Sequence, residues 1–253
     1  MPVMTIEIPV SPDENPTPEC TRCGKWLSLC VCDGIVPADN RVALLILQHP
    51  QEQDRALGTA RLASLHFRTA ELKIGLSWAS LSKALGRPAD PQKWGILYLG
   101  SARAAALAPD RDIVVLNKKG EAEERPDAVL RDLEGIILLD GTWSQAKALW
   151  WRNAWMLKCR RLILNPSRPS LYGKLRRESR KDALSTIESA AMLMGRLEGR
   201  PEFETSLLAS FDRLLTRYRE AQKVDPKFDR PDEPSSGARF RQAKAMRRRR
   251  QRS

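Results

Sequence analysis

GIILLDGTWSQAKALWW, from Gly135 to Trp151, is an apolar run of strand length that ends on a carboxylate and turns at once polar and tryptophan-rich. A run with no polar alternation is the mark of a strand covered on both faces, as in a parallel sheet. An acidic residue at the carboxyl end of such a strand, followed by a turn and a helix, sits where open α/β sheets bind ligands. Asp140 is therefore the first candidate for chemistry.

Working outward from this stretch, apolar runs at Arg41–Gln48, Gly95–Leu99, Asp112–Leu116 and Arg161–Asn165 join Gly135–Asp140 as predicted strands. Helical periodicity is expected around 52–67, 76–86, 125–133, 144–157, 185–198 and 204–222. The alternation predicts an α/β fold, a mostly parallel sheet flanked by helices. Four units are expected: a proline-rich flexible leader over 1–18, a four-cysteine module over 19–38, the α/β domain over 39–224, and a basic disordered tail over 225–253.

The 253-residue chain is 42% hydrophobic, enough for a substantial core and against wholesale disorder. Its longest apolar run, Val42–Leu47, falls far short of the ~20 residues of a membrane span. MPVMTIEIPV lacks the basic start and apolar stretch of a signal peptide, so a cytoplasmic protein without membrane contact is expected, monomeric by default. The net charge of +12 is uneven: residues 1–40 hold two basic and six acidic side chains, residues 227–253 ten basic and three acidic. A basic body with a basic tail suits a polyanion such as nucleic acid, whose counterions are released on binding. A high pI that only aids solubility is the plainer alternative.

CTRCGKWLSLCVC places Cys20, Cys23, Cys30 and Cys32 within 13 residues. Four thiolates suit one tetrahedral zinc ion in a closed structural site, leaving no position for a reactive water. An iron–sulfur cluster or a redox pair are the other readings, and a disulfide framework does not suit a chain without export signals. Cys159 stands apart and reads as a small core residue.

Taken locally, Asp140-Gly141-Thr142-Trp143 also has a structural explanation. Thr142 and Gln145 have capping-box spacing, as do Ser185 and Glu188. Trp143, Trp150, Trp151 and Trp155 fall at spacings that would line one buried helical face. His66 lies in an apolar stretch and reads as packed, whereas His49 follows the first strand at the same edge as Asp140.

In combination these segments resemble the DTW-domain family, whose Asp-x-Thr-Trp signature reads here Asp140-Gly141-Thr142-Trp143. LQHPQEQDRALGTARL (Leu47–Leu62) is similar to its "LQHPxE…GTxxL" segment through Gln48, His49, Pro50, Glu52, Gly58 and Thr59. STIE (Ser185–Glu188) is similar to its "STxE" segment, and the cysteine cluster also agrees. VLNKKG (Val115–Gly120) departs from the family's usual loop. The resemblance spans Cys20 to about Glu188 in the family's order.

The resemblance implies a core related to the knotted SPOUT-type methyltransferases. It also implies an activity, since bacterial members are tRNA-uridine aminocarboxypropyltransferases. They transfer the 3-amino-3-carboxypropyl group of S-adenosylmethionine to N3 of a variable-loop uridine in tRNA and release methylthioadenosine. Within it, Asp140 is expected either to take the N3 proton or to orient the cofactor, with His49 as reserve base. The cofactor pocket is expected to draw on Leu116, Leu139, Gly141, Thr142, Trp143, Ser185, Thr186 and Glu188. Trp143 has two fits, against a sulfonium or base, or in the core. Arg55, Lys174, Arg176, Arg177, Arg180 and Lys181 are expected to meet phosphates. The competing functions are a SPOUT-type RNA methyltransferase, the same transfer to ribosomal RNA, and a zinc-containing RNA-binding protein without activity.

Overall fold

The computed structural model describes residues 18–53, 55–97, 108–173, 175, 183–225 and 228. The expectations for the leader, for most of the basic tail, and for Lys174, Arg176, Arg177, Arg180 and Lys181 lie outside these residues.

Six strands form one sheet: β1 (Ala43–Gln48), β2 (Ala70–Ile74), β3 (Trp94–Leu97), β4 (Ile113–Leu116), β5 (Gly135–Asp140) and β6 (Arg160–Leu164). Their order is β2-β1-β5-β3-β6-β4. All neighbours run parallel except β4, which is antiparallel to β6. The α/β class with a mostly parallel sheet is thus observed. The helices are α1 (Ala60–Ser64), α2 (Leu81–Leu85), α3 (Pro126–Arg131), α4 (Trp143–Arg152), α5 (Thr186–Glu198) and α6 (Pro201–Val224). Among the described residues no helix is long and apolar enough to cross a membrane.

Both faces of the sheet are covered, which is why β1 and β5 carry no polar alternation. Leu44, Ile46, Ile136 and Leu138 pack on one face against Leu62, Ile187, Leu193, Phe211 and Leu214 of α1, α5 and α6. Leu45, Leu47, Ile96 and Ile137 pack on the other against Leu81, Leu85, Trp155 and Met156. Gly135 allows this second layer to close. A Cβ there would lie 2.5 Å from the Trp94 ring of the neighbouring strand, closer than a packed core tolerates.

β2 was not foreseen. Its sequence AELKI alternates apolar residues with the ion pair Glu71–Lys73 (2.9 Å), the pattern of a half-covered edge strand. The helix expected over 52–67 shrinks to α1, because Pro50 opens a separate 3-10 turn and the chain turns tightly at Gly58, where a Cβ would stand 3.1 Å from the Arg55 carbonyl oxygen. The single tryptophan face is also corrected. Asn153 ends α4 by bonding to the Leu149 and Leu76 carbonyls, so Trp155 belongs to a separate 3-10 turn and Trp151 points to solvent.

The cysteine-bearing segment packs on α6. Leu29, Val31 and Ile35 enter the same core layer, Asp33 pairs with Arg213 at 2.6 Å, and Trp26 meets Phe228 edge-on at 5.0 Å.

His66 is packed, as expected, at 3% exposure with Nδ1 3.2 Å from the Ser206 hydroxyl. Burial pushes its pKa down to about 4 from an ordinary 6.5. The unfolded chain therefore binds this proton more readily than the folded one. The contribution is present above pH 6.5 and is lost as pH falls toward 4. Denaturant titrations should show His66→Gln losing roughly 3 kcal/mol less than the parent between pH 7 and pH 4. Parallel pH curves for the two proteins would contradict this assignment. Cys159, 7% exposed and pushed up to about 12 by burial, is likewise a core residue.

Candidate active site

The site follows from strand register. β1 and β5 are adjacent and parallel, and Gln48 lies opposite Asp140. Side chains of paired residues emerge on the same face, so the amide and the carboxylate meet without any loop to position them. Gln48 Nε2 donates to Asp140 Oδ2 at 2.8 Å. The Thr186 hydroxyl, at the start of α5, donates to the other oxygen, Oδ1. Asp140 is 8% exposed and Gln48 4%. The result is a buried carboxylate held from two sides by neutral donors, with one lone pair on each oxygen still open.

The turn that follows is closely packed. The His49 N–H donates to the Asp140 carbonyl at 2.9 Å. A Cβ on Gly141 would stand 2.9 Å from the Gln145 Cβ, so only glycine passes between β5 and α4. The capping box is present: Gln145 N–H donates to the Thr142 hydroxyl at 3.4 Å, and Thr142 N–H to Gln145 Oε1 at 2.6 Å. Gln145 also donates to Gln51 at 3.3 Å, joining this turn to the 3-10 turn after β1. Trp143 is half-buried, with the Lys147 ammonium 5.4 Å from its ring centroid.

Burial, and secondarily the charge of Arg152, hold the His49 imidazole below its ordinary pKa. Its Nδ1 accepts a hydrogen bond from the Gln51 N–H at 3.3 Å, which leaves the ring proton on Nε2. His49 thus offers the site a donor, and Asp140 is the better-placed acceptor.

The second capping box, Ser185 with Glu188, has a further function. Glu188 is 4% exposed and its carboxylate accepts from four donors: the Ser170 hydroxyl, Leu171 N–H, Ser185 N–H and the Ser185 hydroxyl, all between 2.6 and 2.8 Å. Glu188 therefore ties the chain around Ser170 to the start of α5 and so fixes Thr186. Thr59 accepts from the Ile187 N–H at 3.3 Å, and Tyr172 donates to the Leu57 carbonyl at 2.7 Å. The first contact gives the threonine of the "GT" a role, and neither Tyr172 nor Ser170 had a signal in the sequence. A small open cleft lies beside Glu188, lined in part by Ser167, Arg168, Leu184, Arg196 and Glu204.

Two expected pocket residues do not join this group. Leu116 ends β4, and because β4 runs antiparallel its carboxyl end lies beside Arg161 at the opposite edge, three strands from β5. At ~4.8 Å per strand that is about 14 Å in the sheet plane alone. Leu139 is adjacent to Asp140 in sequence but packs on the other sheet face. Arg55 is exposed, and its carbonyl accepts from Lys25 Nζ at 3.4 Å.

The cysteines converge. The sulfurs of Cys20, Cys23, Cys30 and Cys32 all lie within 4.8 Å of one another, and those of Cys20 and Cys32 are 3.9 Å apart. Tetrahedral Zn–S bonds of ~2.3 Å imply S···S distances near 3.8 Å, so the cage fits such an ion. Gly24, with φ of +68°, turns the C-x-x-C segment, and its N–H donates to the Cys20 carbonyl at 2.8 Å. The backbone N–H of Cys23 pulls the Cys20 thiol down to about 6, whereas burial pushes Cys23 and Cys32 up. A bound cation would offset that burial cost.

Comparison with known sequences adds the deciding observation: the family model for the DTW domain matches residues 17–219. The chain belongs to the DTW-domain family. Its relatives include tRNA-uridine aminocarboxypropyltransferase 2 of Macaca fascicularis, 27% identical over 83% of this chain and 66% of the relative. The Mus musculus protein of the same name is 28% identical over 79% and 63%, and the Drosophila melanogaster one 29% identical over 75% and 70%. The chain thus spans slightly under two thirds of the macaque and mouse proteins. No solved structure matches it. The DTW signature of this chain is Asp140-Gly141-Thr142-Trp143, the turn at the carboxyl end of β5.

Proposed function

We propose that this DTW protein transfers the 3-amino-3-carboxypropyl group of S-adenosylmethionine to N3 of a tRNA uridine, in the variable loop, and releases methylthioadenosine. The observation that carries the reading is the DTW carboxylate itself: Asp140 is buried at the carboxyl edge and clamped by Gln48 and Thr186. The relatives' name, with its uridine substrate and transferred group, supports it.

Asp140 takes the N3 proton on an open lone pair as the N3 electron pair attacks the aminocarboxypropyl carbon. The carbon–sulfur bond breaks, and its electrons return to a neutral thioether, so the leaving group requires no acid. Gln48 and Thr186 keep the carboxylate fixed, while the His49 Nε2–H is a donor for a uracil carbonyl. Gly141, Thr142, Trp143, Ser185 and Thr186 form the near wall of the S-adenosylmethionine site. Glu188 supports that wall from behind, since its oxygens already have four donors.

The four thiolates would hold one zinc ion, which would brace residues 19–38 against the catalytic domain of 39–224 as a structural rather than a catalytic metal. The core has the SPOUT-like knotted connection, and Arg55, Lys174, Arg176, Arg177, Arg180 and Lys181 meet tRNA phosphates. The protein works in the cytoplasm as a monomer.

Incubating the full chain with unmodified tRNA and S-adenosylmethionine tests this directly. Mass spectrometry should find methylthioadenosine and a matching mass gain on a uridine. S-adenosylhomocysteine in its place would make the protein a methyltransferase and refute the reading.

A further inference from the structure

We propose that the outer face of α4 is a stacking track for single-stranded RNA that starts at the Asp140 turn, with Trp151 as its outer platform. The proposal deepens the RNA reading above and rests on it.

Trp143, Lys147 and Trp151 stand four residues apart on one stripe of α4. Their exposure grows along the helix: Trp143 is half-buried, Lys147 is exposed, and Trp151 is 79% exposed. Trp151 is the only exposed aromatic side chain among the described residues. Only Ala146 and Leu149 of α4 are buried, so the helix is anchored mainly by its other side and the outer part of the stripe, Lys147 and Trp151, is left open. From Trp143 to Trp151 the helix rises about 12 Å, the length of roughly three stacked nucleotides.

Charge chooses the occupant. The α4 sequence WSQAKALWWR contains Lys147 and Arg152 and no carboxylate, within a chain of net charge +12. Lys147 lies over the Trp143 ring between the two tryptophans of the stripe, and the exposed Arg152 adds a second cation at the same end of the helix as Trp151. A nucleobase gains from each ring while the phosphate beside it gains from the neighbouring cation, the arrangement of single-strand binders. A protein partner would gain from the rings alone. Because the track opens beside Gly141, a base stacked at Trp143 continues toward the Asp140 carboxylate.

The test compares the full chain with Trp151→Ala, Trp151→Phe and Lys147→Ala, with unmodified tRNA and a single-stranded 12-nucleotide RNA as probes. Trp151→Ala should weaken both probes about ten-fold or more, raise KM for tRNA and leave S-adenosylmethionine affinity unchanged, because one stacked base is lost. Trp151→Phe should recover most of the affinity. Lys147→Ala should reduce the salt dependence of log Kd by about one phosphate contact, which Trp151→Ala should not do. Equal RNA affinity in Trp151→Ala and the parent would overturn the track, and methylthioadenosine formation would then still support the reaction. Weakened RNA binding in a protein that yields no methylthioadenosine would uphold the track and refute the reaction.

Discussion

Replacing Asp140 with Asn should leave S-adenosylmethionine bound and reduce turnover about 10²- to 10⁴-fold, the range for losing a positioned base. The fold should accept this change well. Asparagine keeps the shape, and both partners of Asp140 can reverse their bonding: the Thr186 hydroxyl rotates to accept, and the Gln48 amide flips. What the variant lacks is a lone pair basic enough to hold the N3 proton. The two measurements that decide are kcat with saturating tRNA and the dissociation constant for S-adenosylmethionine by calorimetry. Near-parental kcat would exclude Asp140 as the base. A collapse of cofactor affinity together with kcat would instead make it the residue that orients the cofactor's ammonium.

The second large effect concerns the cysteines. Cys23→Ser should remove one equivalent of zinc and lower the apparent melting temperature by roughly 8–16 °C. That follows from ~4 kcal/mol of linkage at free metal a thousand times Kd, at 2–4 °C per kcal/mol for a chain of this size. The effect should reach beyond the cage, because Leu29, Val31 and Ile35 lie in the layer that α6 shares with the sheet. Elemental analysis and a thermal melt check this. A metal-free parent, or a variant melting with the parent, would refute the metal; iron with visible absorbance would replace zinc by an iron–sulfur cluster.

Much of the sheet could be read from the sequence because burial on both faces writes strands as unbroken apolar runs. The starts of β5, β6 and β4 fall within a residue or two of the expected positions. β2 was missed because Glu71 and Lys73 interrupt its run, as edge strands require. In the site, Asp140, Thr142 and Thr186 were nominated by local motifs. Their assembly was not legible, because the Gln48–Asp140 contact depends on a register across 92 residues and the Thr186 contact spans 46. Leu116 lies apart from the Asp140 group for a related reason: a run of apolar residues gives no direction, and the reversed β4 puts its carboxyl end at the opposite edge. Glu188 was nominated as a ligand, yet a capping box cannot announce that distant donors will occupy both its oxygens.

That carboxylate has an evolutionary consequence. Leu171 and Ser185 both bond to Glu188, so the basic segment between them is closed at its base by one side chain. Closure entropy grows slowly with length, at ~0.6 kcal/mol per doubling. Beyond Tyr172, which is itself tied to Leu57, the segment can therefore lengthen, shorten or change its sequence while Thr186 stays on Asp140.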